Sequence, residues 1–398
     1  MENNSAKIIA ELDDEIIKYT VFQLDEKSNY EILTKKISNN TGIKKGNVLD
    51  IGDASKVIVR DLEEIEKKLD KIFRSISVVV NQKEILCTNC SGFKRLNGSK
   101  VEKRDLDYIL NEAKGSITEN QKNNSILHIL NSNFVLDKTK QEKIPLNLFG
   151  DNLSLHMTFI SLPKNNLKNI KSLFNNCDIN VERVISKPFA FGINFLKEKK
   201  DLKNFLLINL DNELTSVSLY EDSSLVFLKT FPFGTSSIYN DVSQLCSLRR
   251  KDIVSIIEEL DFFENSRNNS NYLEKKFFTE SEFTKLSVKH LRDIINARIH
   301  EMTDYIFNNN KNLKYQNNKI AKIYMFFENE NIYENLGRLF ENSLNINSRN
   351  IAIESMIRDD HYASQGAAEL LFKGWDKEAI PLTNKKKSII SRFFSRFF

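Results

Sequence analysis

Two stretches of the chain share one pattern, and this repetition limits the folds that the sequence can adopt. Lys7 to Phe22 (KIIAELDDEIIKYTVF) is typical of two β-strands joined by a turn at Asp13-Asp14. Asn204 to Tyr220 (NFLLINLDNELTSVSLY) has the same form, with its turn at Asp211-Asn212. Each hairpin opens one half of the chain and precedes further strand-like and helical sequence. The sequence therefore predicts an α/β protein with two halves that face one another.

The remaining elements follow from the spacing of apolar residues. Helical spacing predicts helices at 61–73, 103–114, 167–177, 238–245, 252–263, 287–307 and 332–344, with a last helix that opens at Tyr362. Short apolar runs predict strands at 75–80, 85–96, 126–130, 154–162, 181–186 and 320–326. Residues 42–51 are interpreted as a loop that enters a strand, and residues 381–384 are interpreted as a short linker.

The positive charge of the chain is concentrated near its end. The 398 residues contain 58 Lys and Arg against 54 Asp and Glu, and residues 379–398 contain three Lys, two Arg and no acid. The rest of the chain is therefore almost neutral, which favours a membrane surface and not nucleic acid as an anionic partner. The acidic first residues do not predict a signal peptide. Four cysteines in a chain of this size are typical of a reducing cytoplasm.

Cys87 and Cys90 form an isolated C-x-x-C within a strand-like run. A structural zinc site takes four ligands, and neither a second such pair nor a close pair of histidines accompanies these cysteines. The sequence therefore predicts a structural role for both cysteines and no metal site.

Residues 385–398 (KKKSIISRFFSRFF) predict an amphipathic helix. At about 100° per residue, the isoleucines and phenylalanines fall on one half of the helix, and the serines and arginines fall on the other. This arrangement is typical of a helix that lies in a membrane surface, and its apolar residues do not form the uninterrupted run that a transmembrane span needs. A terminal helix that docks on its own protein or on a second copy is the alternative. The predicted membrane-binding residues are Lys385, Lys386, Lys387, Ile389, Ile390, Arg392, Phe393, Phe394, Arg396, Phe397 and Phe398.

Several stretches resemble FtsA, the family of bacterial actin-like cell-division proteins, and they follow the order of that family. They are GIKKGNVLDI at 42–51, SILHILNSNFVLD at 125–137, LFGDNLSLH at 148–156, KPFAFG at 187–192 and YASQG at 362–366. The amphipathic terminal segment completes the resemblance. The resemblance implies an α/β fold of the actin-like (ASKHA) type with two lobes, an inserted small α+β subdomain and a C-terminal amphipathic helix.

The resemblance also implies subdomain boundaries and a function. The boundaries are 1–83 with 165–196 for subdomain 1A, 84–164 for the inserted subdomain 1C, 197–228 with 300–380 for subdomain 2A, 229–299 for subdomain 2B, and 381–398 for the linker and membrane-binding helix. The family tethers polymers of the tubulin-like FtsZ to the inner face of the cytoplasmic membrane at the division site. The resemblance implies that the protein is not an enzyme. Its implied partners are the FtsZ C-terminal tail, an anionic membrane surface, other division proteins and further copies of itself in a filament, but no nucleic acid.

The resemblance places the FtsZ-tail site on the lobe that follows the second hairpin. Basic side chains beside apolar ones suit a short acidic peptide that folds on binding. The implied contact residues are Lys289, Arg292 and Arg298 on the long predicted helix. The competing interpretation is a solvated helix face.

The family binds ATP with Mg²⁺ through glycine-rich turns, and this chain departs from that pattern. A glycine lets backbone N–H groups approach a phosphate closely, because it has no Cβ. None of the 12 glycines lies in the matching segments, which are the first turn (11–14), the second turn (209–215) and residues 326–330. Both turns place carboxylates where a triphosphate would lie, and like charges repel. The resemblance marks a degenerate site at Asp13, Asp14, Asp211, Asn212, Thr215, Gly234 and Asp241.

The sequence therefore predicts weakened or lost ATP binding. In the alternative interpretation, Mg²⁺ bridges the acids of the turns to the phosphates. Other functions compatible with this fold are an ATP-binding enzyme such as a sugar kinase, the platform protein of a type IV pilus machine and a generic peripheral membrane protein. The missing glycines argue against the enzyme, and the terminal helix argues against the pilus protein.

Overall fold

The structure is a computed structural model, which describes residues 6–25, 29–260, 272–278, 285–308, 310, 313, 320, 322–327, 330–347 and 351–381. The described residues form two compact units. Unit 1 contains the residues up to Lys203, Ser218–Thr230 and those from His361 onwards, and unit 2 contains Asn204–Val217 and Phe231–Asp360. No helix among these described residues has the length and apolar character that a membrane span requires.

Strands and helices are mixed along the whole described chain. The strands are β1 Lys7–Leu12, β2 Ile16–Leu24, β3 Tyr30–Asn39, β4 Ile43–Lys44, β5 Asn47–Val48, β6 Ser75–Val80, β7 Leu86–Arg95, β8 Asn124–Leu136, β9 Thr139–Gln141, β10 Asn152–Pro163, β11 Asn180–Ser186, β12 Phe205–Leu210, β13 Thr215–Glu221, β14 Ser224–Phe231, β15 Lys322–Phe327, β16 Ala352–Ile357 and β17 Glu378–Pro381. The helices are α1 Ile51–Leu69, α2 Lys103–Asn120, α3 Lys164–Asn175, α4 Lys187–Glu198, α5 Thr235–Cys246, α6 Arg250–Glu259, α7 Val288–Phe307, α8 Glu330–Asn347 and α9 Tyr362–Phe372.

Both predicted hairpins are confirmed, and each opens a five-stranded sheet. The first sheet has the order β11-β6-β1-β2-β3, in which β1 runs antiparallel to β2 and parallel to β6. The second hairpin belongs to a sheet with the order β14-β13-β12-β15-β16, in which β12 runs parallel to β15. Strands β1 and β12 are almost wholly buried, as expected for parallel-paired strands of an α/β protein. The end of each first strand therefore leads from the core directly into one of the two turns.

Residues 86–163, together with β17, build a separate antiparallel sheet within unit 1. Its order is β17-β8-β10-β7, with β9 paired to β8. Helix α2 packs on this sheet through a core that includes Ile109 and Phe159. Cys87 and Cys90 both lie on β7 as free thiols. Their separation of three positions places them on opposite faces of the strand, so they cannot share one metal ion.

The interpretation of residues 42–51 as a loop that enters a strand is wrong at its end, where a helix begins. Asp50 is the N-cap of α1, and its side chain accepts a hydrogen bond from Asp53 N at 2.9 Å. A capping Asp satisfies one of the backbone donors that have no partner in the first helical turn. Helix α1 therefore begins at Ile51, well before the predicted start at residue 61.

The linker prediction for residues 381–384 is wrong at its first residue. Pro381 closes β17, which pairs antiparallel to β8 with Pro381 opposite His128. A proline is tolerated here because β17 is an edge strand. Strand β17 is the last described element before the predicted membrane-binding segment, and residues 382–398 lie outside the described residues.

Helices α4 and α9 approach closely because glycines stand at their contacts. A Cβ on Gly366 of α9 would overlap the backbone carbonyl of Ala190 in α4. A Cβ on Gly192 of α4 would overlap the hydroxyl of Tyr220. Both contacts exist only because glycine has no Cβ. They fix the position of α4 and, with it, of Lys187, the first residue of that helix.

A buried ion-pair network joins β8, β11 and β17. Glu378 is 1% exposed and pairs with the guanidinium of Arg183. His128 Nδ1 lies 2.9 Å from Glu378 Oε1, and His128 Nε2 accepts a hydrogen bond from Ser186 N at 3.2 Å. Burial lowers the pKa of His128, although Glu378 acts in the opposite direction. Burial alone would raise the pKa of Glu378, but Arg183 and His128 hold it below its usual value.

Acidification from pH 7 to pH 5.5 is expected to weaken unit 1 through His128. Because its pKa is lowered in the folded protein, the unfolded chain binds more protons below the ordinary value of 6.5. The stability that the neutral ring contributes is present above that pH and is lost as the pH falls. The loss is at most about 1.4 kcal/mol for each pH unit. Urea unfolding at the two pH values, followed by circular dichroism, measures it.

His128→Asn is expected to remove most of this pH dependence, because an amide can still donate toward Glu378 but does not titrate. His156→Asn is the matched control, since His156 is exposed on the neighbouring strand β10. An unchanged pH dependence in the His128 variant would contradict the prediction.

Candidate functional site

The first turn reverses sharply without a glycine. Asp13 N donates a hydrogen bond to Ile16 O at 3.1 Å. The Asp14 carboxylate accepts a hydrogen bond from Lys45 N at 3.0 Å, which ties the turn to the loop between β4 and β5. Glu15 has a φ of 54°, a left-handed conformation that normally favours glycine. The turn therefore keeps its shape through contacts with its own chain.

Two lysines meet the carboxylates of the first turn. Lys187 Nζ lies 2.9 Å from Asp13 Oδ2 and 3.0 Å from Glu11 Oε1. The side chains of Lys187 and Glu11 are 0% and 1% exposed. Lys18 Nζ lies 3.6 Å from Asp13 Oδ2. Because a buried carboxylate needs a counter-charge, these ion pairs explain how the fold accommodates Glu11 and Asp13.

The second turn, in unit 2, has a comparable arrangement. Asp211 is 3% exposed and pairs with the guanidinium of Arg358, which follows β16 and is 9% exposed. The side-chain amide of Asn209 donates to Asp211 Oδ1 at 3.3 Å. Arg250 Nη2 donates to Asn212 Oδ1 at 3.4 Å. Each turn therefore contains an aspartate that a cation from a distant part of the sequence neutralises.

The second turn also occupies the N-terminus of α5. Thr235 N donates to Asp211 O at 3.1 Å, and Ser236 N donates to Asn212 O at 2.8 Å. A Cβ on Gly234 would overlap both carbonyl oxygens, so only glycine permits this contact. The first N–H groups of a helix are the donors that bind a phosphate. Here two of them are already used inside the protein.

These contacts do not fit the ATP with Mg²⁺ that the resemblance implies. A triphosphate needs backbone donors that face it, and Mg²⁺ needs carboxylate oxygens. The two turns use their carboxylates for internal ion pairs, and α5 uses two of its first N–H groups for the second turn. The third segment that matches the family's nucleotide site is residues 326–330. Phe326 and Phe327 are the last residues of β15, and residues 328–329 lie outside the described residues.

The other predicted nucleotide-site residues contact neighbours within unit 2. Thr215 Oγ1 donates to Phe233 O at 2.8 Å. The Asp241 carboxylate on α5 accepts two hydrogen bonds from the Arg298 guanidinium on α7, one of them from Nη2 at 2.7 Å. Such a two-pronged pair is strong and directional. The structure thus brings together two residues that the sequence assigned to different sites.

The three residues predicted to contact the FtsZ tail differ in exposure. Lys289 is exposed, and Arg292 is half-buried. Arg298 also pairs with Glu301 at 2.7 Å in addition to Asp241, and these pairs raise its pKa. The predicted membrane-binding residues, 385–398, lie outside the described residues.

Sequence reasoning missed the partners of these buried acids. The available signal was a charge inside an apolar stretch, as at Lys187 in ISKPFAF, since a charged residue in such surroundings indicates a paired group. The partner itself could not be read, because Lys187 and Asp13 are 174 positions apart.

Part of this chain is similar to proteins named as cell-division proteins. A family model described as the SHS2 domain inserted in FtsA matches residues 83–161. The cell division protein FtsA of Agrobacterium fabrum is 23% identical over 222 residues, which are 56% of this chain and 50% of that protein. The protein of the same name from Escherichia coli strain K12 is 20% identical over 202 residues, 51% of this chain and 48% of that protein. The chain thus spans about half the length of the curated relatives it matches.

Structural similarity extends over more of the chain than sequence similarity does. A chain of a PilM–PilN type IV pilus biogenesis complex matches with a TM-score of 0.57 at 8% identity, covering 92% of this chain and 96% of that chain. Identity this low shows the fold alone. The predicted fold class, actin-like α/β with an inserted small subdomain, is confirmed, while its C-terminal helix lies outside the described residues. The comparisons also confirm the resemblance to FtsA, whose inserted SHS2 domain the chain matches at residues 83–161.

Proposed function

We propose that this protein acts in cell division by tethering FtsZ polymers to the inner face of the cytoplasmic membrane and by assembling into an actin-like filament. It does so without enzymatic activity and with weakened or lost ATP binding. The observation that carries the proposal is the match of residues 83–161 to the SHS2 domain of FtsA within an actin-like fold. Relatives named as cell-division proteins support it. The subdomain boundaries and the site residues implied by the resemblance are part of the same proposal.

Membrane attachment is proposed for residues 385–398. Burying the six large apolar side chains of this segment gains very roughly 10 kcal/mol before ordering costs, at about 1.5–3 kcal/mol each. Each nearby Lys or Arg adds about 1 kcal/mol against anionic lipid. The entropy lost on ordering the helix offsets much of this gain, so a single copy binds reversibly. A filament binds firmly, because its further tails bind at a high effective concentration.

The ion pairs at the two turns support a tether that needs no ATP switch. Asp13 and Asp211, at the positions where phosphates would lie, pair with Lys187 and Arg358. A nucleotide would have to break these buried pairs before it could bind. In such a protein, polymerisation and lipid binding regulate assembly in place of ATP hydrolysis.

The FtsZ tail is proposed to bind at the basic residues of α7. An acidic peptide suits the exposed ammonium of Lys289 and the half-buried guanidinium of Arg292 near the start of this helix. Arg298 takes part only when a peptide carboxylate displaces Asp241 from it. We therefore expect Lys289 and Arg292 to contribute more to this affinity than Arg298.

Phe393→Asp combined with Phe394→Asp is expected to weaken binding to vesicles of anionic phospholipid at least about 100-fold. The change removes two buried rings, worth about 1.5–3 kcal/mol each, and places two negative charges next to an anionic surface. Cosedimentation of the full-length protein with phosphatidylglycerol vesicles, with and without FtsZ polymers, measures the loss. With the wild type, FtsZ should sediment with the vesicles, and FtsZ that lacks its C-terminal tail should not.

Ser391→Asp combined with Ser395→Asp is the matched control, because it adds the same charge to the polar half of the helix. This control is expected to weaken vesicle binding through charge alone, by about 30-fold at about 1 kcal/mol for each added charge, and therefore less than the phenylalanine variant. Full vesicle binding by the phenylalanine variant would rule out the proposed membrane segment. Binding of a pilus-membrane peptide, and not of the FtsZ tail, would favour the pilus-platform alternative.

A further inference from the structure

Lys187 is buried in a way that lysine rarely tolerates. Its side chain is fully buried, and a buried ammonium group without a counter-charge is strongly unfavourable. Its Nζ lies 3.0 Å from Glu11 Oε1 and 2.9 Å from Asp13 Oδ2. Glu11 belongs to β1, and Asp13 follows the end of that strand. The ammonium therefore lies between the carboxylates of Glu11 on β1 and Asp13 in the first turn.

Opposite charges lie close together around Lys187. Glu11 and Asp13 supply two carboxylates, and Lys18 supplies a second ammonium 3.6 Å from Asp13 Oδ2. Ser364 Oγ of α9 donates to Glu11 Oε2 at 3.4 Å. A divalent cation placed here would be repelled by the ammonium groups of Lys187 and Lys18. A phosphate placed here would be repelled by the carboxylates of Glu11 and Asp13. Either addition would leave buried charges unbalanced.

The backbone that carries Lys187 is fixed. Lys187 opens α4 and Pro188 follows it, and a proline in the first helical turn has the φ that the helix needs. Helix α4 is held against α9 where Gly366 meets the Ala190 carbonyl. The ammonium therefore cannot leave the turn through a movement of its backbone unless α4 separates from α9.

We infer that the Lys187 ammonium takes the place of the divalent cation and nucleotide at the first turn and makes unit 1 independent of both. It is the internal counter-cation of Glu11 and Asp13. This inference rests on the proposed nucleotide-independent function and deepens it by naming the residue responsible. In unit 2, Arg358 pairs with Asp211 in the same way. A buried cation therefore neutralises an aspartate at each of the two turns.

The test removes the internal cation and asks whether a metal ion replaces it. Lys187→Ala removes one of the two ammonium groups and leaves Glu11 and Asp13, with Lys18 beside Asp13, around a space of lysine side-chain size. Two carboxylates with water suit Mg²⁺ or Mn²⁺. We expect the full-length variant to melt roughly 10 °C below the wild type. Addition of 5 mM MnCl₂ should restore most of that shift. Electron paramagnetic resonance should detect one more bound Mn²⁺ per chain in the variant than in the wild type.

Lys187→Ala combined with Asp13→Asn is the matched control, because it keeps the space but removes one carboxylate. Its melting temperature should exceed that of the single variant and should not respond to Mn²⁺. A single variant that folds only in the presence of Mn²⁺ would also support the inference. A single variant that remains unfolded in Mn²⁺, or that folds without any response to it, would overturn the inference.

The wild type provides an independent measurement. Calorimetric titration with Mg²⁺ and ATP should give no binding heat, and millimolar nucleotide should leave the melting temperature unchanged. Binding in the micromolar range would overturn the inference. Vesicle binding depends on residues 385–398 and not on this turn, so the tether proposal and the Lys187 inference can fail separately.

Discussion

Replacing Glu378 with Gln is expected to lower the free energy of unfolding of unit 1 by about 3–5 kcal/mol. The variant keeps the shape of the side chain but leaves Arg183, which is 6% exposed, without its counter-charge. It also weakens the acceptor that faces His128 Nδ1. Exposed ion pairs contribute only about 0–1 kcal/mol, so the burial of this network determines the size of the effect.

Trp375 makes this loss measurable, because it is the only tryptophan of the chain. Its ring centroid lies 5.4 Å from that of Phe189, which in turn lies 4.7 Å from that of His128. Tryptophan fluorescence during urea unfolding therefore reports on the surroundings of the network.

Two further variants separate charge from packing. Glu182→Gln removes a partly exposed acid that pairs with Lys7 at 3.8 Å, on the same strand as Arg183, and should cost at most about 1 kcal/mol. Glu378→Gln combined with Arg183→Met removes both buried charges and should regain most of the loss. A loss below about 1 kcal/mol in the Glu378 variant would show that the pair does not stabilise unit 1.

The Glu378 network also bears on the proposed tether. Strand β17 has four residues, pairs with β8 and precedes the proposed membrane-binding segment in the chain. In the proposed tether, tension on that segment would act on this short edge strand, and the buried Glu378 would resist its detachment. Detachment would lengthen the connection by about 13 Å, at about 3.3 Å per residue. In the proposed tether, the strength of this network would therefore set how far units 1 and 2 can move from the membrane.

Elements with local signals could be predicted from the sequence. The predicted strand at 75–80 is confirmed as Ser75–Val80, and the helix predicted at 287–307 is confirmed as Val288–Phe307. Such predictions depend on apolar residues at fixed spacing within one segment. The early start of α1 was also readable, because Asp50 with Asp53 is a helix-start signal that a strand interpretation overlooked.

Strand order and ion pairs depend on residues that are far apart in the sequence, and a single sequence does not show them. Glu378 and His128 are 250 positions apart, and Arg358 and Asp211 are 147 positions apart. The missing glycines predicted that both turns were altered. They did not show why acids are stable in these turns. The structure gives the reason, because a buried cation neutralises an aspartate in each turn. The position of an acid is local information, whereas its partner is a property of the fold.

Arg358→Met is expected to lower the free energy of unfolding of unit 2 by about 3–5 kcal/mol, because it leaves the buried Asp211 carboxylate without its cation. Methionine fills similar space, so the loss reports on charge and not on a cavity. Urea unfolding followed by circular dichroism measures the loss. Trp375 lies in unit 1, so a shift seen by circular dichroism and not by tryptophan fluorescence would assign the loss to unit 2.

Lys322→Met is the matched control for Arg358→Met. Lys322 pairs with Glu354 between β15 and β16 of the same sheet, but both side chains are about one-third exposed, so this change should cost at most about 1 kcal/mol. Arg358→Met combined with Asp211→Asn removes both buried charges and should be more stable than the single variant. Equal stabilities of the single and the double variant would show that the aspartate does not depend on Arg358. The second turn could then release its carboxylate to a metal ion or a nucleotide, and the proposal of a tether without an ATP switch would lose its support in unit 2.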